Sequence, residues 1–180
     1  ERTERSCMKF RIDESERKAS KSPHEIFLTN LIVNHILYFI AALGMAKSFP
    51  LLVAATPVAS LLTISYILIK GRKMQQSASW FERCHWQIAM RRSKLLLIVL
   101  STLTILLGIL YSIHIFMEVA SAQIFPLAAI VTMPVLITIL ALILMESEAL
   151  HFAGSGQLSK RMVERNPPPN SIIEIDQHIE

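Results

Sequence analysis

Two histidines inside long apolar stretches, His35 and His114, are the residues here with the most obvious chemical potential. Paired imidazoles from opposing helices can hold a b-type haem. Their depths do not match. His35 stands about nine residues above the basic face of its stretch and His114 about nineteen, a difference of roughly 14 Å at 1.5 Å per residue. One shared haem is therefore excluded, and a hydrogen-bonded histidine near each interface is the simpler reading. Asn30 and Asn34 fall on one helical face with His35 beside them. That trio reads in two ways: as a polar intramembrane site for a quinone, lipid headgroup or ion, or as packing through interhelical hydrogen bonds of ~0.6–2 kcal/mol each. Packing is the favoured reading.

Other reactive residues are too sparse to form a centre. Cys84-His85 supplies two ligands where zinc needs four, or three and water. His24, His151 and His178 are scattered, no Ser, His and Asp converge in a readable triad, and no glycine loop could cradle phosphate. The expectation is a non-enzymatic protein with no cofactor and no metal.

The elements that would carry these residues are membrane spans. The apolar fraction is 52%, charged residues make up 18%, and mean hydropathy is +0.45. Four windows hold no Asp, Glu, Lys or Arg: Phe27–Ala46, Pro50–Ile69, Leu95–Met117 and Pro126–Met145. Each has about 20 residues, enough to cross a ~30 Å hydrocarbon core. Glu118 and Glu146 stand at span ends and Lys47 at the outer boundary, so nothing ionisable lies within a span. Proton-coupled antiporters of the small multidrug type depend on such a group, and this absence argues against them.

Seventeen of the eighteen Lys and Arg residues lie on one side of the four windows, with Lys47 alone on the other. The positive-inside rule then places both termini in the cytoplasm. The net charge of +4 and pI of 9.3 suit anionic headgroups better than nucleic acid, because the basic residues flank the spans. The fold expected is an all-α, integral membrane four-helix bundle, N-in/C-in, in a bacterial inner membrane. Cys7 and Cys84 both fall on the cytoplasmic side and are expected as thiols.

Five segments are expected. Residues 1–21 form a mobile cytoplasmic tail. A first transmembrane hairpin covers 22–70, opened by the capping box Ser22-Pro23-His24-Glu25. A basic loop covers 71–94, where a second box, Ser79 to Glu82, starts an amphipathic helix. That helix either lies in the headgroup plane or extends span three. Trp80, Phe81, Trp86, Arg91 and Arg92 are expected at the membrane interface. A second hairpin covers 95–146. A flexible tail covers 147–180, with Gly154-Ser155-Gly156 and Pro167-Pro168-Pro169 as linker elements. Small residues every four positions, Ala55/Ala59/Thr63 and Thr104/Gly108/Ser112, mark two faces for close helix packing.

The two hairpins share motifs in order. Ile36-Leu37-Tyr38-Phe39-Ile40 matches Ile109-Leu110-Tyr111-Ser112-Ile113, and Phe49-Pro50-Leu51 matches Phe125-Pro126-Leu127. A tandem duplication and coincidence among common membrane residues both explain this.

Around the second loop, Tyr66-Ile67-Leu68-Ile69 and Trp80-Phe81-Glu82-Arg83-Cys84-His85-Trp86-Gln87-Ile88 resemble small uncharacterised bacterial tetraspan membrane proteins of Tic20-like pattern. Those carry a Trp-x-Glu segment, a histidine and Trp-Gln-Ile before their third span. The histidine spacing differs here, and Ala89-Met90-Arg91-Arg92 replaces the basic-aromatic continuation. The resemblance implies the same four-helix topology and no activity.

Two functions fit these readings. One is an accessory or assembly subunit that packs against other membrane proteins or itself, with Ser171–Glu180 as a docking end. The other is a small oligomeric transporter or channel with a pore lined by Asn30, Asn34, Thr104 and Ser112. The first is favoured.

Overall fold

The computed structural model describes residues 7–45, 47–49 and 51–175. Four helices are long and apolar enough to cross a membrane: Glu14–Met45, Leu51–Ser77, Trp80–Phe116 and Ala122–Ser155. They point to a multi-pass membrane protein. Each coincides with a predicted window but runs well past it at the basic end. The predicted ends at Ala46 and Pro50 fall outside the described residues.

Helix α1 (Glu14–Thr29) passes through a π-helical segment (Asn30–Tyr38) into α2 (Phe39–Met45). A tight turn at Lys47–Phe49, closed by the Ser48 and Phe49 amides on the Met45 carbonyl, leads to α3 (Leu51–Ser77). Then come α4 (Trp80–Phe116) and α5 (Ser121–Ser155). The bundle core is aliphatic and aromatic, with Phe27, Leu31, Ile64, Ile67, Trp86, Leu96 and Leu142 buried together. Helix α4 settles the choice left open for residues 79–94. It is one helix of 37 residues, about 55 Å long at 1.5 Å per residue, with Ser79 capping it through the Glu82 amide. The second hairpin therefore begins before residue 95, and the loop shrinks to a short break at Ala78-Ser79.

Three expectations are corrected at the basic end. First, α1 begins at Glu14, not at Ser22. The Asp13 carboxylate accepts from the Ser15 amide and hydroxyl, while Glu14 and Glu16 favour the positive end of the helix dipole. Pro23 lies inside the helix. Second, the mostly helical fold also carries a small sheet, and the described parts of both tails are structured. Strand β1 (Cys7–Phe10) is the centre of a small antiparallel sheet, paired with β2 (Gln157–Ser159) on one edge and β3 (Glu174–Ile175) on the other. Helix α6 (Lys160–Arg165) packs beside it. Phe10, Ile12, Trp80, Phe81, Cys84, Leu158, Met162 and Val163 form a second buried core, joined by Ile172, and this core with the sheet and α6 is the cap on the bundle. The outer parts of the tails, 1–6 and 176–180, lie outside the described residues. Third, the glycine pair near 155 is not a flexible linker. Helix α5 runs to Ser155, and Gly156 terminates it with φ +72°. A Cβ there would stand 2.9 Å from the Phe10 carbonyl oxygen, so the closure of β1 onto this turn requires glycine.

The expected interfacial set is corrected for the same reason. Trp80, Phe81 and Trp86 are buried in protein, because the cap and the bundle cover the helix on both sides. Arg92 is ion-paired inside, and Arg91 alone of the five is exposed. The small-residue faces also shift. On α3 the packed positions are Thr56, Ser60 and Ile64, one residue on from Ala55, Ala59 and Thr63, of which Ala59 is exposed. Polar contacts from the first span set that rotation. On α4, Thr104, Gly108 and Ser112 are all exposed, and a Cβ on Gly108 would meet nothing within 4 Å. The matched motifs of the two hairpins are also built differently. Ile36–Tyr38 is π-helical, whereas Ile109–Ile113 sits in regular α-helix.

Candidate functional site

Where the bundle meets the cap, four charged or titratable side chains from three helices converge. His24 comes from α1, His85 and Arg92 from α4, and Glu146 from α5. His24, His85 and Glu146 are completely buried. Glu146 takes His24 Nδ1 at 2.7 Å on one carboxylate oxygen and the Arg92 guanidinium at 2.9 Å on the other. Arg92 also donates to the Met145 carbonyl at 2.9 Å. His24 Nε2 meets His85 Nδ1 at 2.9 Å, and the two rings cross edge to face. The chain Arg92–Glu146–His24–His85 thus ties all three helices at one level.

Within the row, the proton positions are coupled. With Glu146 ionised, His24 donates from Nδ1. If His24 is neutral, its Nε2 must accept from His85 Nδ1. If it is charged, the direction of that bond reverses. His85 Nε2 makes no hydrogen bond of full geometry and faces a cavity of about 830 Å³ between α4, the end of α5 and β2. Arg92, Lys160, Arg161, Glu148 and Glu164 share that cavity's wall, so its lining is highly charged and close to balanced. Among the described residues no group of three or more His, Cys, Asp or Glu could hold a metal ion.

Deeper in the bundle the predicted polar trio lies where the sequence suggests, but its parts divide. The π-helical segment brings Asn30, Asn34 and Tyr38 against α3. Asn30 Nδ2 donates to Ser60 Oγ at 3.2 Å, Asn34 Nδ2 to the Thr56 carbonyl at 2.9 Å, and the Tyr38 hydroxyl to the Leu52 carbonyl at 3.2 Å. Positions 30, 34 and 38 thus meet 60, 56 and 52, an antiparallel ladder of interhelical hydrogen bonds. Asn30 and Asn34 also bond each other. Both side chains are thus engaged in hydrogen bonds between the first span and α3. His35 turns the other way, with Nδ1 on the Asn30 carbonyl at 3.1 Å and Nε2 unpartnered. His114 is bound to the Val119 carbonyl at the far end of its helix.

The charge row was missed in the sequence because its members are 122, 61 and 54 residues apart in pairs. A signal existed. His24, Arg92 and Glu146 each sit just beyond an apolar window on the basic side, so the topology already placed them at one level. From sequence Glu146 stands only at a span end, outside the apolar window. Its complete burial weakens the sequence-based argument that nothing ionisable is enclosed. No family model, curated protein or solved structure matches the chain.

Proposed function

We propose that the chain is a non-enzymatic accessory or assembly subunit that packs against other membrane proteins or a second copy of itself. The observation that carries this is the open outer face of α4. Its most apolar window is only 6% buried, the least of the four spans, and that face bears Gly108 and Ser112. A small-residue stripe lets another backbone approach closely, which is what lipid-facing positions do not need. The cap has a buried core of its own, so it supports docking as a preformed surface. This reading keeps the N-in/C-in orientation from the charge asymmetry, a bacterial inner membrane, and the topology implied by the Tic20-like resemblance. Arg72, Lys73, Arg91 and Lys94 are exposed near the basic ends of the spans, where anionic headgroups would meet them. The test is the native mass of gently extracted protein, wild type against Gly108→Ile. Loss of a larger assembly in the variant, with an unchanged melt, supports the reading.

One observation favours the second reading, a small oligomeric transporter. The enclosed Glu146–His24–His85 row is the kind of ionisable group that proton coupling uses. Reconstituted protein should then carry a proton-linked flux across vesicles. Vesicles no leakier than empty controls under a pH gradient would remove this reading.

A further inference from the structure

All four spans contribute to the wall of a second cavity, about 490 Å³, at the level of His35. Its volume is that of an ordinary small-molecule site. The lining is almost wholly aliphatic, with Leu100, Leu103, Val135 and Ile139 among its walls. Four polar side chains interrupt it. Thr104 and Thr132 donate their hydroxyls to their own helices, at the Leu100 and Ala128 carbonyls. The other two are His35 and Thr56. Both are more than nine-tenths buried, and both present an atom with no hydrogen-bond partner, His35 Nε2 and Thr56 Oγ1. A buried polar atom left unsatisfied costs ~1–3 kcal/mol, so two such atoms in side chains lining one apolar cavity call for a complementary group.

The chemistry of that group follows from the tautomer. His35 Nδ1 faces a carbonyl oxygen, which can only accept, so Nδ1 carries the hydrogen. In the neutral ring Nε2 is then a bare acceptor. The cavity wall carries no carboxylate that would hold an imidazolium. Thr56 has a hydroxyl hydrogen to give. One oxygen that donates its own hydrogen to His35 and accepts from Thr56 satisfies both at once. A hydroxyl does this; a ketone, ester or ether oxygen cannot donate. The apolar remainder of the cavity selects the body attached to it.

We propose that this cavity binds a lipid-soluble hydroxyl compound, its O–H on His35 Nε2 and its oxygen accepting from the Thr56 hydroxyl. The isoprenoid and long-chain alcohols and the prenylated phenols share this chemistry. The site stands independently of the accessory-subunit reading, since it needs no partner protein.

The experiment uses the full chain in detergent, labelled with a diazirine-bearing long-chain alcohol. Competition is measured with geranylgeraniol, its methyl ether and a prenylated hydroquinone. Geranylgeraniol should compete about tenfold better than the ether, which loses one hydrogen bond. In His35→Phe the alcohol and the ether should become equal competitors. In Thr56→Val both should weaken, while the preference for the alcohol persists. The hydroquinone outcompeting geranylgeraniol would support the site and identify a phenol as its ligand. The near-isosteric Thr56→Val keeps the test decisive should His35→Phe fail to fold. An ether that competes as well as the alcohol against wild type overturns the proposal. So does labelling that falls outside the helices lining the cavity.

Discussion

Replacing Glu146 with glutamine should destabilise the protein more than any other single isosteric change at the basic end. The carboxylate is completely buried and accepts from both a histidine and a guanidinium, at 2.7 and 2.9 Å. At an effective dielectric of about 20, a unit pair at this separation attracts by about 6 kcal/mol. Desolvation of the two ions offsets several kcal/mol of that, and Arg92 keeps 18% of its side chain in contact with solvent. Breaking such a pair from one side leaves the other charge enclosed and costs ~3–5 kcal/mol. Glutamine makes matters worse locally. Its amide nitrogen must point at His24, which then has to accept at Nδ1 as the other tautomer, while Arg92 is left facing a neutral oxygen. For a chain of this length 1 kcal/mol moves the melting temperature by ~2–4 °C, so a drop of roughly 10 °C is expected. Trp80 and Trp86, the two tryptophans, are both buried near this level, and their fluorescence in mild detergent follows the melt. Glu146→Gln combined with Arg92→Met should be less destabilised than the sum of the single changes, because the orphaned charge is gone. A Glu146→Gln protein melting within ~2 °C of wild type would refute the reasoning.

Gly156→Ala should cost ~1–2 kcal/mol, since alanine is strained at φ +72° and its Cβ would press on the Phe10 carbonyl; thermal melts check this. Truncation after Asn170 removes β3 and Ile172 from the cap, so Trp80 emission should shift red while far-UV helicity is kept. The Ser15 hydroxyl and amide hold the Asp13 carboxyl below its ordinary value of 3.8. Its contribution to stability is therefore present above the unfolded value and lost as pH falls through the folded one. A carboxyl titration by NMR should place Asp13 below 3.8, and Asp13→Asn should flatten the stability profile in that acid range.

The four spans were legible because hydropathy and length alone dictate them. The cap was not. Its core joins Phe10 and Ile12 to Leu158, Met162 and Val163, and neither end of the chain shows a strong period in isolation. The Asn-Pro run hid a similar contact. Asn166 bonds Gln87 and takes the Trp80 indole on its carbonyl, which stops the segment from acting as a free spacer. Asn30, Asn34 and His35 were found because polar residues in a span stand out, but sequence spacing assumed α-helix. The π-helical winding decided which of them meet α3 and which faces the cavity. The Ala55 stripe misled for a related reason: hydrogen bonds from Asn30 and Asn34 rotate α3 so that Ser60 and Thr56 face inward.

An accessory subunit of this build uses the open face of α4 as its contact surface for another membrane protein. Native mass spectrometry of protein released gently from its membranes, wild type beside Gly108→Ile, tests this directly. The expected result is a stoichiometric assembly in the wild type that dissociates in the variant while the four-helix chain stays folded. A wild type that emerges as a lone chain, or an assembly indifferent to isoleucine at position 108, would contradict it.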